Sequence, residues 1–339
     1  MRKARPGQDR QRDEQAMISV KNLEKRYGSL QAIKNVSFEV GKGEIVGLLG
    51  QNAAGKTTIM KIITGFLESS GGTVTVGGID VLQDRLGVQK QIGYMPENAP
   101  LYEEMLVQEY LMMMTELREI PAERRVSAMT EAVKATGLEK VLVQPIATLS
   151  KGFRQRVALC QAILHKPEVL ILDEPTNGLD PVQIMEIRRL IRKLAENSTV
   201  FLSTHILPEI EAVCNRVLIL IDGLLAKDAR IEELLRTNRI RLSVAEGADG
   251  VEAKLGSLPG VASLELLGPD PARKGFALWR IETEEGPQPT PAVVKTAAEA
   301  GWEVGQVTGD SPTLEQVFSE LMQEQAQRGI SGSQQEEAS

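Results

Sequence analysis

Residues 44–57 read EIVGLLGQNAAGKT, an apolar run followed by a glycine-rich turn and a Lys-Thr pair. The turn, from Gly50 to Thr57, fits the pattern G-x-x-x-x-G-K-[ST] of phosphate-binding loops. We therefore predict a buried strand at residues 44–49 and a helix that begins near Lys56. Because a helix N-terminus carries about half a positive charge, the backbone N–H groups of this turn would attract phosphate.

The Lys-Thr pair adds side-chain chemistry to the turn. Lys56 places a full positive charge where the β- and γ-phosphates of a nucleotide would lie, and the hydroxyl of Thr57 can hold Mg²⁺. That ion neutralises charge that develops on the transferring phosphoryl group. A glycine-rich turn can also arise by chance, but the flanking strand and helix favour the functional interpretation.

Two adjacent acids follow a second apolar run, VLIL at residues 169–172. Adjacent residues of an extended strand point to opposite sides, so Asp173 and Glu174 can serve different groups. We assign Asp173 to Mg²⁺, through water, and Glu174 to the water that attacks the phosphate. A surface salt bridge is the competing interpretation of Glu174, and the four preceding apolar residues weigh against it.

The composition is typical of a folded globular protein, since 42% of the 339 residues are hydrophobic and 25% are charged. A formal net charge of −7 argues against a protein whose main task is to bind nucleic acid. The two cysteines, Cys160 and Cys214, lie far apart and indicate neither a disulfide framework nor a zinc site. The charged N-terminus and the broken apolar runs predict a chain that does not cross a membrane.

The chain is predicted to divide into two domains. In residues 17–238, short apolar runs alternate with segments of helical spacing, which predicts an α/β fold with a parallel sheet covered on both faces. Residues 98–150 have helical spacing and predict an inserted helical subdomain, in which Gly137 ends the second helix.

Residues 239–325 predict a smaller α+β domain. Its elements follow the order β-α-β-β-α-β, which is the ferredoxin-like arrangement, and Asp249 is a candidate N-cap of the first helix. A further helix is expected from Thr313 to about Gln325. Residues 1–16 and 326–339 are expected to be disordered tails because they are polar and charged.

Residues 149–156, LSKGFRQR, stand shortly before the acidic strand and resemble the LSGGQ-type signature of ABC ATPases. This resemblance implies a P-loop NTPase core of the ABC ATPase type, with ATP and Mg²⁺ bound. It also implies that the signature of one subunit closes over the ATP held by the P-loop of a second copy, with Ser150 and Gly152 at the γ-phosphate. A Ser-x-Gly turn that opens a helix is itself suited to bind an anion.

Other positions match the same family. Tyr27 resembles the aromatic residue that stacks on adenine, Asp180 lies in a Gly-Leu-Asp segment that resembles the loop communicating across the dimer, and His205 resembles the switch histidine. His205 follows the strand-like run TVFLST, from which a neutral imidazole can reach the γ-phosphate. Tyr27 could instead be a packing residue, and His165 is expected to be structural.

Together, motif and resemblance predict the following site. Glu174 and His205 are catalytic, and Thr57, Glu97 and Asp173 hold the metal. The predicted ATP-binding residues are Tyr27, Gly50, Gln51, Asn52, Ala53, Ala54, Gly55, Lys56, Thr57, Thr58, Ser150 and Gly152.

Two residues depart from the family pattern. Glu97 stands where a glutamine is usual, and Ala53 where a glycine is usual. A carboxylate oxygen of Glu97 can still take Mg²⁺ or water, although the metal preference can change. Ala53 would cost about 1 kcal/mol if its backbone must be left-handed.

The segments at residues 97–110, 149–156 and 312–318 resemble the ATPases of ABC-2-type exporters, particularly the gliding-motility-associated group. The resemblance implies transmembrane permease subunits on separate chains, docked near Leu101, Tyr102 and Met105, and a peripheral position on the cytoplasmic face of the membrane. These three side chains could equally be covered by the helical subdomain of the chain itself. Nothing in the resemblance identifies the transported substance.

Two alternatives belong to other functional classes. A soluble ABC ATPase of translation or DNA maintenance usually carries two cassettes, coiled coils or zinc modules, whereas this sequence has one cassette and neither heptads nor cysteine clusters. A regulatory module that no longer hydrolyses ATP would explain Ala53 and Glu97, but Glu174 and His205 argue against it.

Overall fold

The structure is a computed structural model that describes residues 16–235, 238–284, 290–309 and 312–336. The described residues belong to two compact units, which divide at Ile231 and again at Glu320. In the described part of the chain, no helix combines the length and apolar character that a bilayer span requires.

The first unit is built on a six-stranded sheet with the order β10-β9-β3-β8-β7-β6. Its strands are β3 (Ile45–Leu49), β6 (Ile92–Met95), β7 (Val169–Asp173), β8 (Thr199–Thr204), β9 (Arg216–Ile221) and β10 (Leu224–Arg230). All neighbouring pairs are parallel except β9 and β10. β7 and β8 are buried along their whole length, as expected of strands that helices cover on both faces.

A second sheet of the first unit is antiparallel, with the order β2-β1-β4-β5. It consists of β1 (Ala16–Tyr27), β2 (Leu30–Gly41), β4 (Gly71–Val76) and β5 (Ile79–Asp80). Alternate residues of β1 and β2, such as Val20 and Phe38, point into the same core cluster as Phe201 of β8. The sequence analysis did not predict this sheet: β1 and β2 are neighbours along the chain, but β4 pairs with β1 across more than 40 residues.

Helices flank these sheets. They are α1 (Lys56–Ile63), α2 (Arg85–Gln91), α3 (Val107–Leu117), α4 (Ala122–Thr136), α5 (Lys151–Ile163), α6 (Pro181–Ala195), α7 (Leu207–Val213) and α8 (Ile231–Leu234). α3 and α4 lie in the segment predicted to be an inserted helical subdomain, and Gly137 ends α4 in the left-handed conformation, with φ 69°. α5 begins at Lys151, where the side chain of Ser150 caps it.

The second unit contains a four-stranded antiparallel sheet with the order β12-β13-β11-β14. Its elements are β11 (Arg239–Ala245), α9 (Val251–Gly256), β12 (Val261–Pro269), β13 (Phe276–Thr283), α10 (Thr290–Glu299) and β14 (Val304–Gly309). The order β-α-β-β-α-β is the predicted ferredoxin-like arrangement. Ile240, Leu242 and Val244 of β11 form its core with Leu255 and Val293 of the two helices.

Three details differ from the sequence analysis. Gly250, with φ 72°, is the N-cap of α9 in place of Asp249, whose backbone carbonyl accepts a hydrogen bond from Trp302 Nε1. α11 (Leu314–Glu336) continues past Gln325, so the tail predicted for residues 326–339 is helical as far as Glu336. Ala16, the last residue of the other predicted tail, belongs to β1, while residues 1–15 and 337–339 lie outside the described residues.

Candidate functional site

One cavity lies where three parallel strands end. The loop of residues 50–57 follows β3, Glu174 follows β7 and His205 follows β8, so the carboxyl ends of the strands bring these groups together. The residues that line the cavity are Tyr27, Leu30, Ala32, Gln51, Asn52, Ala53, Gly55, Lys56, Thr57, Thr58, Glu97, Glu174, Asn177 and His205.

The backbone of the loop is left-handed at two positions. Gly55 has φ 107°, and a Cβ atom there would lie 2.5 Å from Ile33 Cδ1, so only glycine fits. Ala53 has φ 66°, the conformation that the sequence analysis identified as costly for alanine. The loop therefore holds strained backbone at the place where its N–H groups surround the cavity.

Lys56 is buried at the base of the loop. Its Nζ donates to the carbonyl of Gly50 at 2.7 Å and to that of Gln51 at 3.2 Å, and it lies 3.4 Å from Glu174 Oε1. Both charged side chains are about nine-tenths buried, so their interaction is weakly screened by water. A phosphate that entered the loop would meet this ammonium group directly.

Asp173 has an environment that suits a metal ion. Its Oδ1 accepts a hydrogen bond from Ser203. No described residue donates a hydrogen bond of ordinary geometry to its buried Oδ2. Burial raises the pKa of Asp173, and the nearby hydroxyl groups of Ser203 and Thr57 partly offset this effect. A buried carboxylate oxygen beside a threonine hydroxyl offers the hard oxygen ligands that Mg²⁺ takes, so these residues fit that ion.

Glu174 contacts both His205 and Lys56. Its Oε2 lies 2.9 Å from His205 Nδ1, and its Oε1 faces Lys56. An ionised carboxylate can only accept, so Nδ1 of His205 carries the proton and leaves Nε2 as the acceptor of the neutral ring. Glu174 itself has φ 48°, an uncommon conformation for a residue with a side chain.

Glu97 reaches the same cavity from the loop after β6. Its Oε1 accepts a hydrogen bond of 2.9 Å from the side-chain amide of Asn177. The carboxylates of Glu97 and Glu174 both raise the pKa of Asp173, so three acidic side chains share this region. Such a concentration of negative charge favours a cation.

Several predicted residues do not line the cavity. Ser150 caps α5 by accepting from the backbone N–H of Phe153 at 3.3 Å, and Gly152 faces Gln183, which a Cβ atom would approach to 2.6 Å. Asp180 caps α6 by accepting from the N–H groups of Val182 and Gln183. Gly50, Ala54 and Asp173 are not among the residues that line the cavity.

Tyr27 lies at the cavity rim with 48% of its surface exposed, and Lys25 Nζ is 5.1 Å from its ring centroid. An exposed aromatic face at this place could stack on a purine. His165 lies elsewhere: burial lowers its pKa to about 4, and its Nε2 lies 3.1 Å from the carbonyl of Ile92. His165 is therefore a neutral residue outside the cavity.

Sequence reasoning missed three lining residues, Leu30, Ala32 and Asn177. Asn177 stands three residues after Glu174, in the turn in which its N–H bonds the carbonyl of Glu174 at 3.1 Å. A polar residue so close to a candidate catalytic acid was a usable signal. Leu30 and Ala32 belong to β2, whose position the sequence did not reveal.

Comparison with known proteins gives a consistent result. The family model described as ABC transporter matches residues 33–177. The uncharacterized ABC transporter ATP-binding protein YxlF of Bacillus subtilis is 35% identical over 284 residues, which cover 78% of this chain and 95% of YxlF. The bacitracin transport ATP-binding protein BcrA of Bacillus licheniformis is 35% identical over 225 residues, which cover 66% and 72% of the two chains.

Solved structures show the same cassette fold. The dimeric structure of the ABC transporter cassette MJ0796 superimposes with a TM-score of 0.59 at 26% identity, covering 63% of this chain and 99% of MJ0796. A post-hydrolysis structure of dimeric MJ0796 bound to ADP and Pi gives the same TM-score and coverage at 25% identity.

Proposed function

The chain belongs to the ABC transporter family as an ATP-binding, ATP-hydrolysing subunit, and from this premise we propose that it powers an ABC-2-type exporter, of the gliding-motility-associated group, through separate membrane subunits. The observation that carries its ATPase role is the cavity that gathers Lys56, Glu174 and His205, whereas the exporter subgroup rests on the sequence resemblance at residues 97–110, 149–156 and 312–318. The predicted α/β ABC ATPase fold and the predicted ATPase activity are confirmed by these comparisons.

ATP binds with its phosphates in the loop of residues 50–57 and its adenine against Tyr27. Thr57, Asp173 and Glu97 would hold Mg²⁺, which would neutralise negative charge on the phosphates. The unpartnered Oδ2 of Asp173 supports this ligand set. Lys56 moves from the loop carbonyls and Glu174 to the phosphates, where its charge is better matched.

Glu174 orients the attacking water and accepts its proton. The water oxygen forms a bond to the γ-phosphorus while the bond to the bridging oxygen of ADP breaks. His205 holds Glu174 through its Nδ1–H and presents Nε2 toward the cavity. Release of Lys56 to the phosphates also frees Glu174 Oε1 to accept the water proton.

Hydrolysis takes place between two copies of the chain. Ser150 and Gly152, which lie outside the cavity of their own subunit, contact the γ-phosphate bound by the other. The N-terminus of α5 is suited to this anion, and the dimeric MJ0796 cassette supports such an arrangement. Asp180 caps the start of α6, and Gln183 of that helix lies against Gly152.

The membrane subunit docks on an apolar surface of the first unit. Phe66, Leu86 and Leu117 are exposed by 69%, 71% and 66%, and line one hollow with Tyr94 and Met114. Exposed apolar side chains that share a hollow are typical of a protein-binding site. In the segment first predicted for this role, Tyr102 is exposed by 60%, whereas Leu101 and Met105 are partly covered.

Docking from the cytoplasmic side would place the chain on the inner face of the membrane. The contacts that select the exported substance lie on the membrane subunits. Because BcrA is named as a bacitracin transport protein, bacitracin is a sensible first probe. In proteoliposomes with the ATP-binding subunits outside, an exporter moves its substrate into the lumen when ATP is added. Movement out of the lumen would contradict the exporter proposal.

The test of the partnership is affinity purification of the tagged chain from detergent-solubilised membranes, followed by mass spectrometry. We expect a membrane protein with several spans, and we expect Leu86→Glu to abolish its recovery. The matched control is Leu266→Glu, at an exposed leucine of the second unit, which should recover the same protein. Recovery of ribosomal or DNA-repair proteins alone would contradict the proposal.

A further inference from the structure

A buried carboxylate, Glu209, lies behind the catalytic groups. It stands in the first turn of α7, is only 3% exposed, and does not line the nucleotide cavity. Among the described residues, its two oxygens bind two hydroxyl groups and no cation: Oε1 accepts from Thr176, and Oε2 accepts from Thr204 at 2.8 Å. Burying a carboxylate with neutral partners costs several kcal/mol, so a packing role alone accounts poorly for it.

The two threonines belong to the two segments that carry the candidate catalytic pair. Thr176 lies two residues after Glu174, and its carbonyl and that of Glu174 accept the N–H groups that close this turn. Thr204 is the last residue of β8 and immediately precedes His205. Glu209 is thus the one described side chain bonded to both segments through hydroxyl groups.

The direction of the hydrogen bonds follows from the charge of Glu209. A carboxylate only accepts, so both threonine hydroxyls must donate to it, and the lone pairs of Thr204 Oγ1 remain free. One of them accepts the backbone N–H of Ile206 at 3.0 Å, on the far side of His205. The backbone on both sides of His205 is therefore tied to Glu209.

A parallel link operates one residue earlier on β8. Ser203 donates to Asp173 and accepts the N–H of Glu174 at 3.1 Å. The end of β8 therefore holds the acidic segment twice, once through Ser203 and once through Thr204 and Glu209. The left-handed backbone of Glu174, with φ 48°, needs such support.

We propose that Glu209 is a positioning residue for ATP hydrolysis, which holds the Glu174 turn and the His205 segment in register through Thr176 and Thr204. The inference rests on the proposed roles of Glu174 and His205. It assigns Glu209 no contact with nucleotide or water. Because the 2.9 Å bond between Glu174 and His205 joins side chains from two separate segments, their register decides whether it forms.

The first test is Glu209→Ala in the full chain, with steady-state ATP hydrolysis and binding of a fluorescent ATP analogue. A displacement of about 1 Å at a catalytic group costs up to about 100-fold in turnover, so we expect kcat to fall about 30- to 100-fold. The cavity wall is unchanged, so KM and the analogue's Kd should stay within about threefold. Glu209→Gln keeps the shape and one acceptor oxygen, and should recover most of the loss.

Two further variants follow the separate branches of the network. Thr176→Val removes the hydrogen bond to Glu209 and should lower kcat about 10-fold, the loss that one hydrogen bond predicts. Thr204→Val removes its bond to Glu209 and also the acceptor of the Ile206 N–H, so it should lower kcat by at least about 10-fold. In the Glu209→Ala background, Thr176→Val should cost nothing more, because the hydroxyl has lost its acceptor. The matched control is Thr136→Val, at a buried threonine of α4 whose hydroxyl donates to backbone carbonyls of its own helix.

The outcomes separate the possible failures. Equal kcat per bound nucleotide in wild type and the Glu209 and threonine variants would overturn the inference, whatever their melting temperatures. If Glu209→Ala does not fold, the Gln and Val variants decide. If Glu174→Gln hydrolyses ATP like wild type, the proposed role of Glu174 fails; if Glu174→Gln is inactive while the Glu209 variants are normal, only the role of Glu209 fails.

Discussion

The two units of the chain treat backbone strain differently. In the described residues, all seven non-glycine residues with positive φ belong to the first unit, and two of them, Ala53 and Glu174, line the nucleotide cavity. In the second unit, every described positive-φ position is a glycine, such as Gly250 and Gly268. Among the described residues, side chains on left-handed backbone thus occur only in the first unit, and two of these positions lie at the nucleotide cavity.

Buried polar groups show the same contrast. The first unit buries Lys56, Asp173, Glu174 and Glu209, whereas the described core of the second unit is almost wholly apolar. Buried charge costs free energy of folding and is kept where its chemistry is used. Among the described residues, the buried charged side chains thus lie in the first unit, which also holds the nucleotide cavity.

The largest expected effect comes from truncating a core side chain of the second unit, which tests whether the two units act independently. Leu242→Ala removes a fully buried side chain and should lower the free energy of unfolding of that unit by about 2–5 kcal/mol. Leu266→Ala, at an exposed leucine of β12, is the control and should cost far less. Hydrogen exchange measures the stability of each unit, and binding of a fluorescent ATP analogue should be unchanged in both variants. Loss of binding in Leu242→Ala would break the comparison.

The next effect concerns charge in the first unit. Lys56→Ala removes a charge-assisted contact to phosphate, worth about 1.5–3 kcal/mol, so ATP affinity should fall about 10- to 150-fold. Lys254→Ala, whose ammonium lies 5.5 Å from the ring of Trp302 in the second unit, is the matched control. Calorimetric titration with ATP measures both. Equal affinities would show that Lys56 does not contact the nucleotide.

The sequence predicted features whose residues lie close together along the chain, and it missed contacts between residues that are far apart along the chain. The loop of residues 50–57 and the Asp173-Glu174 pair are local patterns, and the structure brings them together at the strand ends as expected. The bond between Glu97 and Asn177 joins residues 80 apart, and Thr176 is 33 residues from Glu209. Neither pairing leaves a periodic trace in the sequence.

The antiparallel sheet was missed for a related reason. β1 pairs with both β2 and β4, and β4 begins more than 40 residues after β1. The parallel strands were recognised because burial on both faces makes them almost continuously apolar. β1 and β2 mix apolar with charged residues, such as Lys25 and Glu39, because only part of their surface is buried.

The smallest expected effect concerns the left-handed backbone of Ala53 in the phosphate-binding loop. Ala53→Gly relieves a left-handed backbone and should raise the free energy of unfolding by up to about 1 kcal/mol. Ala128→Gly, in the middle of α4, is the control and should lower it by about 0.5–1 kcal/mol. Urea denaturation of the purified chain measures both values. A loss of stability in Ala53→Gly would show that the loop is not strained at this residue.

The central claim is that two copies of this chain enclose ATP and that Glu174 drives its hydrolysis. The direct test is to measure the molar mass of the purified Glu174→Gln variant by light scattering, with Mg²⁺ and ATP present. The rate at which the same variant hydrolyses ATP is measured in parallel. We expect a stable dimer that forms only with ATP, and turnover at least about 100-fold below wild type. A variant that stays monomeric with ATP and hydrolyses it at the wild-type rate would contradict the account.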